Sequence, residues 1–252
     1  MGFLNRSLFI LLFLALWQYL KITYFEEAFL PSPLDLGLAF IEELNSGDLF
    51  WNSLQSLKRV AVGIGLGLFG GAILGIICGY KGAVYQYVGW LIEIIRPIPP
   101  IAWIPLAILW FGIGDKPAYF LVSLGSFFPV FTNTFQGITS IETKYIKMAG
   151  SLGASRVSVL KNVIFPLLLP HLITGLKISI GIGWMIVVTA ELVGAQDGLG
   201  YMIQSNRILL QIDNVIVGML AIGLIGFSLQ IVAHWVETAT IPWIQRMSTV
   251  GK

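Results

Sequence analysis

Lys177 is the one charged side chain in the 25 residues from Pro166 to Ala190. A charge inside such an apolar run usually faces a bundle interior or a wet cavity. There it can attract an anion such as a sulfonate, reach back to an interface along its own stem, or pair with a neighbouring carboxylate. All three readings are open from the sequence. Glu191, at the far end of the same run, suits either a fixed helix end or a gate. Asn133, Gln136, Ser179 and Thr189 are uncharged polar groups within apolar stretches. They either line a translocation pathway or bond helix to helix. No Gly-x-x-x-x-Gly-Lys-Ser/Thr loop occurs, nor His-Glu-x-x-His, nor a Cys/His cluster. Cys78 is the sole cysteine, and His171 and His234 are isolated. No nucleophile has a base in sight. The expected chemistry is that of a conduit: not an enzyme, and with no metal and no cofactor of its own.

The frame that must position these residues is set by composition. Of 252 residues, 56% are hydrophobic and 11% charged, less than half the charged share of an ordinary soluble domain, about 25%. Mean hydropathy is +0.84. The chain is therefore expected to be an all-α polytopic membrane protein. A net charge of +2 gives no reason to invoke nucleic acid. Six spans are expected, over 7–22, 60–80, 101–112, 117–138, 166–190 and 214–236. The first is read as uncleaved, because Trp17, Gln18, Tyr19 and Leu20 at its end are mostly bulky where a signal peptide needs small residues. With the N-terminus inside, nine Lys/Arg fall inside and five outside, while ten Asp/Glu fall outside and three inside. That is the positive-inside pattern.

Local signals refine the frame. Gly63, Gly67, Gly71, Gly75 and Gly79 recur every four residues, with Gly65 and Gly70 beside them. Such a ridge admits a second helix closely, as a fixed packing seam or a sliding one. Arg96-Pro97-Ile98-Pro99-Pro100 cannot be helical throughout, since proline fixes φ and lacks a donor. It makes the third span short, about 18 Å at 1.5 Å per residue, and suggests a discontinuous helix beside a pathway. Glu93 stands three residues before Arg96 and can pair with it on a helix. Between the first two spans, Pro31-Ser32-Pro33 precedes 34–44, a short external helix with Leu34, Leu38 and Ile41 on one face, expected to lie at the membrane surface.

The segment 142–165 is longer than two spans need. It mixes small residues (Ala149, Gly150, Gly153, Ala154) with basic ones (Lys144, Lys147, Arg156, Lys161). Gly153 is placed to end one short helix and Arg156 to begin another. This segment resembles the signature loop of the membrane subunits of bacterial ABC importers: Glu-Ala-Ala, three residues, Gly, nine residues, Ile, one residue, Leu, Pro. Ala149, Gly153 and Pro166 match; Val163 and Phe165 stand for the Ile and Leu; Lys147-Met148 replace the Glu-Ala. The resemblance runs over about 50–240. Arg96-Pro97-Ile98-Pro99-Pro100, Trp103-Ile104-Pro105-Leu106, Trp110-Phe111-Gly112-Ile113-Gly114, Gly175-Leu176-Lys177, Ala190-Glu191-Leu192-Val193-Gly194-Ala195 and Gly198-Leu199-Gly200-Tyr201 are similar to the nitrate/sulfonate/taurine branch.

What the resemblance implies is a type I ABC importer permease fold in the cytoplasmic membrane of a bacterium. It implies a core over 51–240, preceded by a first span with its external segment (1–50) and followed by a cytoplasmic tail (241–252). The implied partners are a second copy of the chain, two ATP-binding cassette ATPase subunits that hold the ATP and magnesium, and an external solute-binding protein. The implied docking residues for the ATPase are Lys147, Met148, Ala149, Gly150, Leu152, Gly153, Ala154, Ser155 and Arg156. The implied solute is a small anion, sulfonate- or taurine-like ahead of nitrate or bicarbonate. The rival is an ATP-independent carrier or channel for a small anion. A proton- or sodium-coupled carrier should bury several carboxylates or histidines in its spans, and the sequence offers one lysine.

Overall fold

The computed structural model describes residues 2–24 and 30–241. Glu26, Glu27 and the tail beyond Ile241 lie outside the described residues. The described chain is helical and contains no strand. Helix α1 (Gly2–Tyr24) occupies the place of the first expected span. The indole N–H of Trp17 donates to the Pro31 carbonyl at 3.1 Å, tying α1 to the turn before α2 (Pro33–Ser46).

Helix α2 begins as its sequence dictates. Pro33 takes the first turn, where its missing donor is not needed. The Ser32 hydroxyl accepts from Asp35 N, and the Asp35 carboxylate accepts from Ser32 N and Oγ, a closed capping box. These bonds hold the Asp35 carboxyl below its ordinary range. Leu36 is buried, whereas Leu34, Leu38 and Ile41 face outward. The apolar stripe thus faces away from the protein core, as a helix at a membrane surface requires.

Helix α3 (Asp48–Tyr80) begins twelve residues before the expected second span. Its glycine ridge meets α6 (Asp115–Thr139). A Cβ on Gly63 would fall 2.5 Å from Val122, on Gly71 2.7 Å from the Phe127 carbonyl, on Gly75 2.7 Å from Thr134, and on Gly79 2.7 Å from Ile138. The seam is tight. Gly65 is not part of it, since nothing lies within 4 Å of the same position there. Gly71→Leu is therefore expected to destabilise by about 1–3 kcal/mol through overpacking, whereas Gly65→Ala is expected to be neutral or slightly stabilising. Thermal unfolding in detergent separates the two.

The paired numbers rise together along α3 and α6, so the two helices run parallel. The chain between them must return across the molecule. It does so as α4 (Gly82–Ile95), a short 3₁₀ turn (Pro100–Trp103) and α5 (Ile104–Phe111), bent by 85° at the break. The third crossing therefore begins at Gly82. The expected short span at 101–112 is only its second half. Pro100 lies beside Gly125 of α6, where a Cβ would meet it at an ordinary 3.4 Å but would strike Ile186 of α9 at 2.2 Å. On the same helix Phe127, Phe131 and Phe135 stack in series, and Tyr85 of α4 stacks on Phe135 at 4.2 Å.

After α7 (Thr143–Ser151) and α8 (Arg156–Val159), α9 (Phe165–Gly194) runs antiparallel to α6, with Gly175 against Val130 and Gly183 against Val122. The short α10 (Leu199–Ile208) folds back, and α11 (Ile212–Thr240) descends along α9, where the Trp184 indole donates to the Ile222 carbonyl at 3.1 Å. Among the described residues four helical runs are long and apolar enough to cross a bilayer, and the bent pair, counted as one span, makes a fifth. The first of the expected six falls on α1, which is not among these. The core lies where α3, α6 and α9 meet, around Leu121, Val122 and Val187.

Candidate functional site

The segment 143–164 projects from the end of the bundle where α3 and α6 stop. Its shape follows from two residues. Gly153 adopts φ +78°, a left-handed value open to glycine, and the end of α7 closes on it through Ala154 N to Ala149 O and Leu152 N to Met148 O. Ser155 caps α8 by accepting from Ser158 N. A π turn over Leu160–Ile164 then leads into α9. It sits just before Pro166, which has no N–H to give to the ladder. Of the residues implied to dock, Lys147, Met148, Gly150, Leu152, Gly153, Ser155 and Arg156 are exposed, and Ala149 and Ala154 are half-buried. Leu152 is 87% exposed and Met148 62%, so the tip presents bare apolar surface, with exposed Lys147 and Arg156 on the same segment.

The opposite end holds a closed ionic network that sequence reasoning missed. Arg59 is one of the five basic residues that the expected topology puts outside, yet it is 1% exposed. Its guanidinium donates to Asp115 Oδ1 at 2.6 and 2.8 Å, to Glu191 Oε1 at 2.9 Å and to the Asp197 carbonyl at 2.7 Å, and also reaches the Asp197 carboxylate. Glu191 further accepts from Ser56 Oγ at 2.8 Å and from Gly200 N at 3.0 Å. Ser56 in turn accepts from Leu199 N, and Asn52 from Gly198 N. Gly198 has φ +100°, and a Cβ there would strike Glu191 at 2.4 Å. Thus α3, α6, α9 and the entry to α10 are tied at one point. The available signal was periodicity: Arg59 stands four residues before Gly63, in register with the ridge.

The polar residues of the spans do not converge. Ser179 is fully buried and donates to the Ser126 and Gly175 carbonyls, joining α9 to α6. Thr189 donates to Met185 O within its own helix. Glu191 is enclosed in the network just described. Gln136 is exposed. Asn133 donates to the Pro129 carbonyl and lines a cavity of about 320 Å³ beside the bent crossing. Lys177 pairs with Glu237 of α11 at 2.6 Å, where His234 also approaches at 3.4 Å. His171 packs against Gly137. The expected Glu93–Arg96 pair is absent: Glu93 accepts from the Tyr85 hydroxyl at 2.9 Å. Both partners of the Lys177–Glu237 bridge keep roughly a third of their surface, so Lys177→Met is expected to cost less than about 1 kcal/mol, read as a small shift in the detergent unfolding midpoint. Among the described residues no cluster could hold a metal ion.

A projecting, exposed segment between two spans, on a bundle broken once in mid-path, is the geometry that comparison with known proteins explains. Residues 71–246 match the model of the binding-protein-dependent transport system inner membrane component family. The chain belongs to this family. It is 32% identical over 243 residues to the putative aliphatic sulfonates transport permease protein of Bacillus subtilis, covering 96% of this chain and 88% of that one. It is 34% identical over 232 residues to the taurine transport system permease protein of Escherichia coli, covering 90% and 84%. The solved inward-facing MetNI methionine ABC transporter shares the fold, with a TM-score of 0.65 at 19% identity over 78% of this chain and 98% of that one. The permease thus has the type I ABC importer fold, and its place is a membrane.

Proposed function

We propose that this permease forms half of the translocation pathway of an ATP-driven importer in a bacterial cytoplasmic membrane. Two copies, two ATP-binding cassette ATPase subunits and an external solute-binding protein make the working complex. The core over 51–240 does the work, with the N-terminus and the tail 241–252 on the cytoplasmic side. The observation that carries the reading is the projecting segment. Residues 147–156 form a helix–turn–helix tip with exposed Met148 and Leu152, held by the Gly153 turn and continuous with the longest helical run of the bundle. Seated in an ATPase, such a tip transmits the ATPase movement to α9 as a nearly rigid lever. ATP binding draws the two tips together and opens the spans outward; hydrolysis resets them inward. Nucleotide and magnesium stay with the ATPase, and the permease has no catalytic residue.

The solute is a small anion of the sulfonate and taurine class, ahead of nitrate or bicarbonate. The support is the pair of relatives named for aliphatic sulfonates and taurine, matched over nearly the whole chain. The test is competition. In proteoliposomes holding the full complex, unlabelled butanesulfonate and taurine are expected to suppress uptake of a labelled sulfonate, with nitrate and bicarbonate needing far higher concentrations. Suppression by nitrate alone overturns the solute assignment.

A further inference from the structure

We propose that Arg96, with Thr132 and Asn133, forms an anion site at the break of the third crossing, and that its ligand is an aliphatic sulfonate. This rests on the importer reading above and names the contact that reading lacks. The three residues line the cavity of about 320 Å³ between the bent crossing, α6 and α9, at the small end of the roughly 300–1,000 Å³ of ligand pockets. The cavity lies at mid-depth. Its α6 wall is centred on Pro129, about 21 Å from the Asp115 end and about 15 Å from the Thr139 end at 1.5 Å per residue. Non-helical backbone at such a depth is tolerated where it is buried in protein or lines a wet cavity, and Arg96 sits at the start of the non-helical stretch.

The charge balance selects the ligand. Arg59 is matched by three carboxylates and Lys177 by Glu237. The Arg96 backbone N–H caps α4 by donating to the Ile92 carbonyl, but its guanidinium has no ion pair or hydrogen bond among the described residues, and the carboxylate nearest in sequence, Glu93, is held by Tyr85. Arg96 is exposed at the cavity mouth, so its guanidinium is open to a ligand there. A single cation matches a single negative charge, so a monoanion is favoured over sulfate or phosphate. The guanidinium fork suits a group with several oxygens, and the Thr132 hydroxyl and Asn133 amide add donors. Beside them Phe128, Ile178 and Ile182 supply an apolar wall for an alkyl tail. No carboxylate lines the cavity to receive the ammonium of taurine. The order expected at this site is therefore alkanesulfonate above taurine, and taurine above sulfate.

The test needs a readout that the binding protein does not set. Ile178→Cys in a Cys78→Ala background places a thiol on the cavity wall. In the purified complex without binding protein, butanesulfonate is expected to slow labelling of that thiol, and sulfate is not. Adding Arg96→Gln is expected to raise the half-protective concentration about tenfold or more, as loss of a hydrogen bond to a charged group implies. Arg96→Lys is expected to recover part of the loss, and size-exclusion profiles confirm that both variants assemble. Protection that is unchanged in Arg96→Gln, or absent in a complex that imports sulfonates, overturns this site alone. A complex with intact ATPase activity that imports no sulfonate overturns the solute reading beneath it.

Discussion

Arg59→Ala is expected to destabilise the folded permease by about 3–5 kcal/mol, the loss typical of breaking a buried ion pair from one side. The reason is Glu191. Its carboxylate is 0% exposed and cannot be rehydrated where it stands. With the guanidinium gone it keeps only the Ser56 hydroxyl and the Gly200 amide. Asp115 and Asp197 retain about a third of their surface and can turn to water, so they add little to the loss. The unfolding midpoint in detergent should fall by about 10 °C for a chain of this size. Replacing both partners, Arg59→Met with Glu191→Leu, should recover most of it, because an apolar pair leaves no uncompensated charge. A single Arg59→Ala variant within about 1 kcal/mol of the parent would show that the network is solvated and carries little.

The second large effect concerns the projecting tip. Leu152→Asp is expected to leave the isolated permease as stable as the parent, since the side chain is 87% exposed. It is expected to reduce co-purification of the ATPase subunit by about tenfold or more, because the carboxylate would have to be desolvated in an apolar seat. Gly153 is a poorer probe. Any residue with a side chain there meets the strain of φ +78° before it meets a partner. ATPase retained at the parental ratio by Leu152→Asp would place the docking contact elsewhere.

What the sequence made legible was local. The ridge every fourth residue marked the close face of α3, because glycine spacing is a property of one helix. Pro97, Pro99 and Pro100 marked the break, because proline forbids the bond whatever surrounds it. Pro31-Ser32-Pro33 marked the start of α2, whereas the Ser32–Asp35 cap emerged only in the structure. The segment 142–165 stood out by length and by Gly153. What stayed hidden was pairing at a distance. The expected second span began just after Arg59, yet α3 begins at Asp48, and Arg59 inside it is neutralised by partners more than 50 residues away. For the same reason Lys177 kept three readings until Glu237, 60 residues on, took the place of an anion. The third crossing was placed too late because the prolines at 97–100 were read as its start rather than as a break within it. Only the parallel course of α3 and α6 shows that the chain must recross from Gly82.

The measurement that bears most directly on the account is uptake into proteoliposomes of a labelled alkanesulfonate, with ATP inside and the binding protein outside. The permease is reconstituted either with its ATPase subunits or alone. The account predicts uptake only with the ATPase and ATP present, and none from the permease alone under an imposed proton or sodium gradient. Gradient-driven uptake by the permease alone, with no added effect of ATP, would contradict it and restore the stand-alone carrier.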